Sequence, residues 1–162
     1  MVSVAFRRES DDEHKEPRFE LPLPPGPNLV TARGLAAIGD MVERLERAVA
    51  AHGEPTDDAA RAARDDDQRS LRYWRTRLAT ARLTAAPAEG VAGFGARVRF
   101  SLAGRERMID IVGGDEADPA ADRIAFFAPL ARAMMGAEVG ERVDFNGKVE
   151  AIEVLAAEPI PE

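Results

Sequence analysis

Cysteine is absent from the 162-residue chain, which also contains only two histidines, one tryptophan and one tyrosine. The lack of cysteine excludes disulfides, cysteine-ligated zinc and thiol catalysis. His14 and His52 lie too far apart in the sequence to argue for a metal site. No apolar run reaches the roughly 18 residues of a membrane-spanning helix, and residues 1–13 lack the apolar stretch of a secretory signal. We therefore expect a cytoplasmic protein with no membrane partner.

The net charge of −7 is concentrated at the C-terminal end, where residues 87–162 carry 8 basic and 14 acidic side chains. A domain that binds DNA by itself would be basic, so this balance argues against one. The acidic end suits a basic protein partner, or serves solubility alone.

Residues 31–86 carry the signals of two helices joined by a turn. Thr31 is suited to cap the first helix, and Gly53 and Pro55 end it. Thr56 or Asp57 can cap a second helix that runs to about Leu83. Apolar residues recur at three- and four-residue spacing in both: Leu35, Ile38, Val42, Leu45 and Val49 in the first, and Leu71, Trp74, Leu78 and Ala81 in the second. This pattern predicts an antiparallel α-helical hairpin, or coiled coil.

A turn centred near residue 54 would place Leu35 opposite Trp74 and Ile38 opposite Leu71. Residues 1–30 hold a cluster of prolines, which favour extended backbone. We expect these residues to form an extended, partly disordered tail.

Residues 87–162 alternate between apolar and polar positions in short runs that predict strands. Residues 98–102 and 107–112 flank a turn at Ala103–Arg105, and Asn146-Gly147 predicts a second hairpin. Residues 124–127 predict a third short strand, and Pro129 begins a short helix that Gly136 ends. The sequence therefore predicts an α+β fold, with the helical hairpin followed by an antiparallel sheet domain that contains one short helix.

The second domain resembles the C-terminal domain of the GreA/GreB transcription elongation factors. The resemblance rests on Gly113–Asp118, Arg123-Ile124, Pro129–Gly136 and Val139–Glu141, which occur in the family's order. It implies an FKBP-like domain that docks on the rim of the secondary channel of bacterial RNA polymerase, while the hairpin enters the channel. It also implies a monomer that is no enzyme itself, because the polymerase's own active site cleaves backtracked RNA.

The same resemblance assigns polymerase docking to Phe127, Ala128 and Pro129, where the family usually has serine before the proline. Asp115, Glu116 and Asp118 precede this segment. They either contact a basic partner or form a solvated turn.

Acidic residues at the hairpin tip of the family help to hold the second catalytic magnesium of the polymerase. The corresponding residues here are Glu54, Asp57 and Asp58, in a tip sequence that departs from the family's. One or two carboxylates are the usual protein ligands of magnesium. Acids in the first turn of a helix also stabilise its N-terminus without any metal. We expect no cofactor of the protein's own beyond Mg²⁺ shared with the polymerase.

Three arginines, Arg69, Arg72 and Arg75, share one face of the second helix. They either contact nascent RNA or polymerase, or form an exposed face with aspartate partners.

These observations leave three functions open. The first is a Gre-type regulator that stimulates cleavage of backtracked RNA, and the second is a non-cleaving secondary-channel regulator that competes with Gre factors. The divergent tip and the first helix, about 32 Å from Thr31 to His52 at 1.5 Å per residue, motivate the second. The third, a peptidyl-prolyl isomerase, follows from the FKBP-like fold alone, which does not fix function.

Overall fold

A computed structural model describes residues 19–162, so most of the predicted tail lies outside the described residues. Helix α1 spans Ala32–Ala51 and helix α2 spans Asp58–Thr80. Thr31 caps α1 by accepting a hydrogen bond from the Gly34 amide, and Asp57 caps α2 by accepting one from the Ala60 amide. None of the helices described is long and apolar enough to cross a membrane.

The helices form the predicted antiparallel hairpin, but the predicted register is wrong. His52 Nε2 lies 2.6 Å from Asp67 Oδ2, and Leu71 lines the same groove as Val49 and Ala50. Leu71 is therefore not opposite Ile38, which is roughly 16 Å from Val49 along α1.

The error comes from the shape of the loop between the helices. His52 ends α1 at the level of Asp67, and α2 begins nine residues earlier, at Asp58. Roughly 14 Å of α2 precedes Asp67, so the first turns of α2 project beyond the end of α1. Residues 53–57 run alongside these turns to connect the two helices. The overhang lengthens the hairpin beyond what α1 alone predicts.

Two short strands, β1 (Leu29–Val30) and β2 (Arg82–Leu83), flank the hairpin in the chain. The second domain is a five-stranded sheet with the order β5-β4-β3-β7-β6. The strands are β3 (Ala96–Leu102), β4 (Arg105–Val112), β5 (Arg123–Ala125), β6 (Arg142–Phe145) and β7 (Lys148–Pro159), and α3 spans Pro129–Met134. Neighbouring strands are antiparallel except β4 and β5, which are parallel. The α+β fold is confirmed, but the sheet is mixed and not entirely antiparallel as predicted, because residues 113–122 carry the chain back along β4 before β5 begins.

The core of this domain lies between the sheet and α3. Ala131 and Met134 of α3 are fully buried, as are the inward residues of the three central strands. The largest of these are Phe100, Ile109, Ile111, Ile152, Val98, Val112 and Val154. A rigid sheet thus carries α3 and the loops on either side of it.

The end of the predicted tail belongs to the folded body. Leu29–Val30 form strand β1, which pairs in parallel with β2 (Arg82–Leu83) just beyond α2. Asn28 is buried, and its side-chain amide donates to the backbone carbonyl of Arg77. The two ends of the hairpin are therefore tied together where they meet the sheet domain.

Candidate functional site

A buried ion pair joins the hairpin to the sheet domain. Arg77 Nε on α2 donates to Asp115 Oδ2 at 2.6 Å, and the two side chains are only 6% and 12% exposed. Arg77 Nη2 also donates to Asn28 Oδ1 at 2.7 Å, and the Tyr73 hydroxyl donates to Asp115 Oδ1 at 3.2 Å. Partial burial, and then the nearby Asp115 carboxylate, raise the pKa of Tyr73 above its ordinary value. The network fixes the base of α2 against the loop that follows β4.

A second contact fixes the start of α1 to the same loop. The Thr31 hydroxyl donates to Glu116 Oε2 at 2.6 Å while it accepts from the Gly34 amide. The first turn of α1 contains no acidic residue of its own. Glu116 therefore places a negative charge at the positive end of the helix dipole, where it is stabilising.

The acidic residues predicted for docking thus differ in their surroundings. Asp115 and Glu116 face the hairpin, and their carboxylates are engaged there. Asp118 is still 48% exposed, although it lies 3.4 Å from Arg123 Nη2. Asp115 and Glu116 are partly buried and bonded to the hairpin, whereas Asp118 is more exposed than Asp115; polymerase docking by these residues stays a prediction.

An exposed apolar corner lies at the start of α3. Phe127 is 48% exposed, and its ring closes over Gly114, where a Cβ atom would lie 3.0 Å from it. Phe126 supports it from behind, edge-on, at 5.3 Å between ring centroids. Ala128 occupies the N-cap position without a side-chain cap, and Pro129 is exposed at the first helical position. The predicted residues 127–129 therefore form a rigid apolar surface that a partner can contact.

The tip acids do not assemble into a metal site. Asp57 Oδ1 accepts from the Ala60 amide at 2.7 Å, and Asp58 forms a surface pair with Arg61 at 2.8 Å. Glu54 is exposed. Across residues 19–162, no group of three or more histidine or acidic side chains is placed to hold a metal ion. The arrangement of Asp57 is that of a helix cap.

All three predicted arginines have acidic partners. Arg69 pairs with Asp66 one turn earlier in α2, whereas Arg75 pairs across the hairpin with Glu46 at 2.9 Å. Arg72 binds Glu20 through both Nε, at 3.0 Å, and Nη2, at 2.6 Å. Only Arg69 has the predicted aspartate partner, whereas Arg72 and Arg75 pair with glutamates; a contact of the three arginines with RNA or polymerase stays a prediction.

Comparison with known proteins identifies the second domain. The family model described as "Transcription elongation factor, GreA/GreB, C-term" matches residues 87–159. Residues 87–159 are a GreA/GreB C-terminal domain. The resemblance of this part of the chain to the GreA/GreB transcription elongation factors is confirmed.

Curated relatives match the same part of the chain. The transcription elongation factor GreA of Caulobacter vibrioides is 49% identical over 55 residues, which cover 33% of this chain and 35% of that protein. The GreA of Sinorhizobium medicae is 41% identical over 69 residues, which cover 40% and 44%. The chain thus matches less than half the length of these GreA proteins.

Two solved structures overlap a larger part of the chain at low similarity. Gfh1 of Thermus thermophilus has a TM-score of 0.37 and 16% identity, covering 82% of this chain and 99% of Gfh1. A GreA/GreB factor from Nitrosomonas europaea has a TM-score of 0.37 and 19% identity, covering 82% and 98%. At such scores the overlap adds nothing to the GreA/GreB assignment, which rests on residues 87–159.

Proposed function

We propose that this protein binds bacterial RNA polymerase as a Gre-type regulator of transcription elongation, inserting its helical hairpin in the secondary channel. The observation that carries the proposal is the GreA/GreB C-terminal domain at residues 87–159, which presents an exposed apolar corner at Phe127–Pro129. The protein acts in the cytoplasm as a monomer and catalyses no reaction itself.

The junction between the domains supports this proposal. A docking domain can determine the direction of a hairpin only if the domain and the hairpin are held in one relative orientation. The buried Arg77–Asp115 pair and the Thr31–Glu116 hydrogen bond supply such a connection at the base of each helix. When the corner at Phe127 contacts the polymerase, these contacts determine where the tip lies.

The tip determines whether the docked protein promotes cleavage of backtracked RNA. Magnesium prefers carboxylate, phosphate and water oxygens, and usually keeps several waters. Glu54, Asp57 and Asp58 form no site by themselves, so any Mg²⁺ at the tip would be held jointly with the polymerase. The capping bond of Asp57 and the Asp58–Arg61 pair favour the second candidate function, a secondary-channel regulator that competes with Gre factors without cleavage.

Phenylalanine packing gives no support to the third candidate, prolyl isomerisation. Phe94 and Phe100 are buried, and Phe126 lies edge-on to Phe94 at 5.6 Å. These rings fill the domain and do not line an open aromatic pocket of the kind that binds small ligands.

The decisive experiment compares binding and cleavage on stalled polymerase complexes. Asp57→Asn with Asp58→Asn keeps the capping chemistry, because asparagine also caps helices, and removes two charges at the tip. Asp40→Asn with Glu43→Gln removes two exposed charges from α1 and serves as the control.

A wild-type protein that binds and shortens the transcript, and a tip variant that binds but does not, would establish the cleaving function. Binding without any shortening would establish the non-cleaving one. Failure of the wild-type protein to bind polymerase would refute both.

A further inference from the structure

An apolar strap lies against the side of the hairpin. The strap, residues 19–28, has neither helix nor strand and contains prolines at positions 22, 24, 25 and 27. One end is held by the Glu20–Arg72 pair and the other by Asn28, whose amide donates to the backbone of Arg77. The hydrogen bond from Arg72 lowers the pKa of Glu20. Both ends of the strap are therefore attached to α2.

The large apolar side chains of the strap are left uncovered. Phe19, Leu21 and Leu23 are 81%, 42% and 50% exposed, at alternate positions. Together they present on the order of 300 Å² of apolar surface. Residues 21–27 carry no charge. A stripe of this kind, held at both ends on a charged helix, indicates an interaction surface.

The chemistry of the strap restricts what can bind it. Proline has no amide hydrogen, so residues 22, 24, 25 and 27 cannot donate to a neighbouring strand, and strand addition is excluded over most of the segment. Recognition must then use side-chain contacts, as it does when proline-rich segments dock in grooves lined with aromatic side chains. The partner surface that fits is an uncharged apolar groove.

The size and position of the stripe restrict the kind of partner. A stable homodimer buries about 800 Å² on each side, which is well beyond what three side chains provide. A stripe this small suits an auxiliary contact that adjoins a larger interface. It lies on α2 beside Arg72 and Arg77, on the hairpin for which we propose insertion in the polymerase.

We propose that Phe19, Leu21 and Leu23 bind an apolar, aromatic-lined groove of RNA polymerase beside the opening that receives the hairpin. This inference rests on the proposed function. The strap would add affinity to the docking supplied by residues 127–129.

The test is the affinity of the full chain for purified core polymerase. Phe19→Ser, Leu21→Ser and Leu23→Ser are combined in one variant. The control combines Met108→Ser and Val149→Ser, which remove exposed apolar side chains from the sheet domain. We expect the strap variant to bind at least tenfold more weakly, the control to stay within twofold of wild type, and both to keep the wild-type thermal midpoint.

A photo-crosslinking residue at position 19 of the otherwise wild-type chain identifies the occupant directly. Capture of a polymerase subunit through an apolar segment supports the proposal. Capture of residues 1–18 of the same chain, or of a second copy, overturns it. Equal binding by wild type and the strap variant also overturns it and leaves the proposed function standing, whereas absence of wild-type binding removes the proposed function itself.

Discussion

Replacing Arg77 by methionine should destabilise the protein far more than the same change at Arg75, two residues earlier on α2. The Arg77 side chain is 6% exposed and donates to both Asp115 and Asn28. Methionine keeps most of the aliphatic length but leaves the Asp115 carboxylate buried without its cation. Breaking a buried pair in this way costs about 3–5 kcal/mol. Arg75 and its partner are 56% and 47% exposed, and such surface pairs contribute less than about 1 kcal/mol.

Urea unfolding followed by the fluorescence of Trp74, the single tryptophan, measures both variants. A further variant, Arg77→Met with Asp115→Asn, should lose less than the sum of its two single changes, because no unpaired carboxylate remains; residues in direct contact typically couple by about 0.5–3 kcal/mol. If Arg77→Met and Arg75→Met cost the same, the ion pair does not hold the domains together.

Three further predictions concern the junction and the docking corner. Gly113→Ala should destabilise the fold, because its Cβ would clash with the backbone oxygen of Leu29 in β1. A Cβ at Gly39 meets nothing within 4 Å, so Gly39→Ala should raise the free energy of unfolding by about 1 kcal/mol. Thermal midpoints that rank the other way would refute this packing. Because the pKa of Tyr73 is raised in the fold, the stability it contributes is complete below its unfolded pKa of about 10 and is lost as the pH rises through the folded value. Tyr73→Phe should remove this alkaline loss, and an unchanged alkaline profile would count against the contact with Asp115. Pro129→Ala should weaken polymerase binding and leave the thermal midpoint nearly unchanged, and intact binding would remove this corner from the docking surface.

Local signals in the sequence were sufficient to predict the helix caps and the turn between β6 and β7. Thr31 and Asp57 cap the two helices as their residue types predict. Asn146 and Gly147 both adopt positive φ at the turn between β6 and β7, the backbone that an Asn-Gly turn requires. Each of these features is determined within a few residues, so no tertiary information was needed.

Contacts between residues far apart in the chain could not be predicted from local sequence signals. Asp115 lies 38 residues from Arg77 and 42 from Tyr73, and no local period connects them. Leu78 fits the apolar spacing of α2 yet is 37% exposed, while Arg77 beside it is buried. The reason is that the sheet domain meets α2 with a carboxylate at this point, and a carboxylate favours arginine over leucine.

The predicted register of the hairpin was wrong for a related reason. Helical spacing defines which face of each helix is apolar, but the offset between the helices depends on the path of residues 53–57. The His52–Asp67 pair reveals an offset that spacing alone does not contain.

We propose above all that the GreA/GreB C-terminal domain docks this chain on RNA polymerase. The most direct measurement is the affinity of the full chain for purified core polymerase, alone and in the presence of a GreA protein, with Phe127→Ser as the matched variant. We expect saturable binding that GreA displaces and that Phe127→Ser weakens at least tenfold, because the exposed ring is the centre of the apolar corner. No detectable binding at micromolar concentrations, or binding that neither GreA nor Phe127→Ser affects, would contradict it.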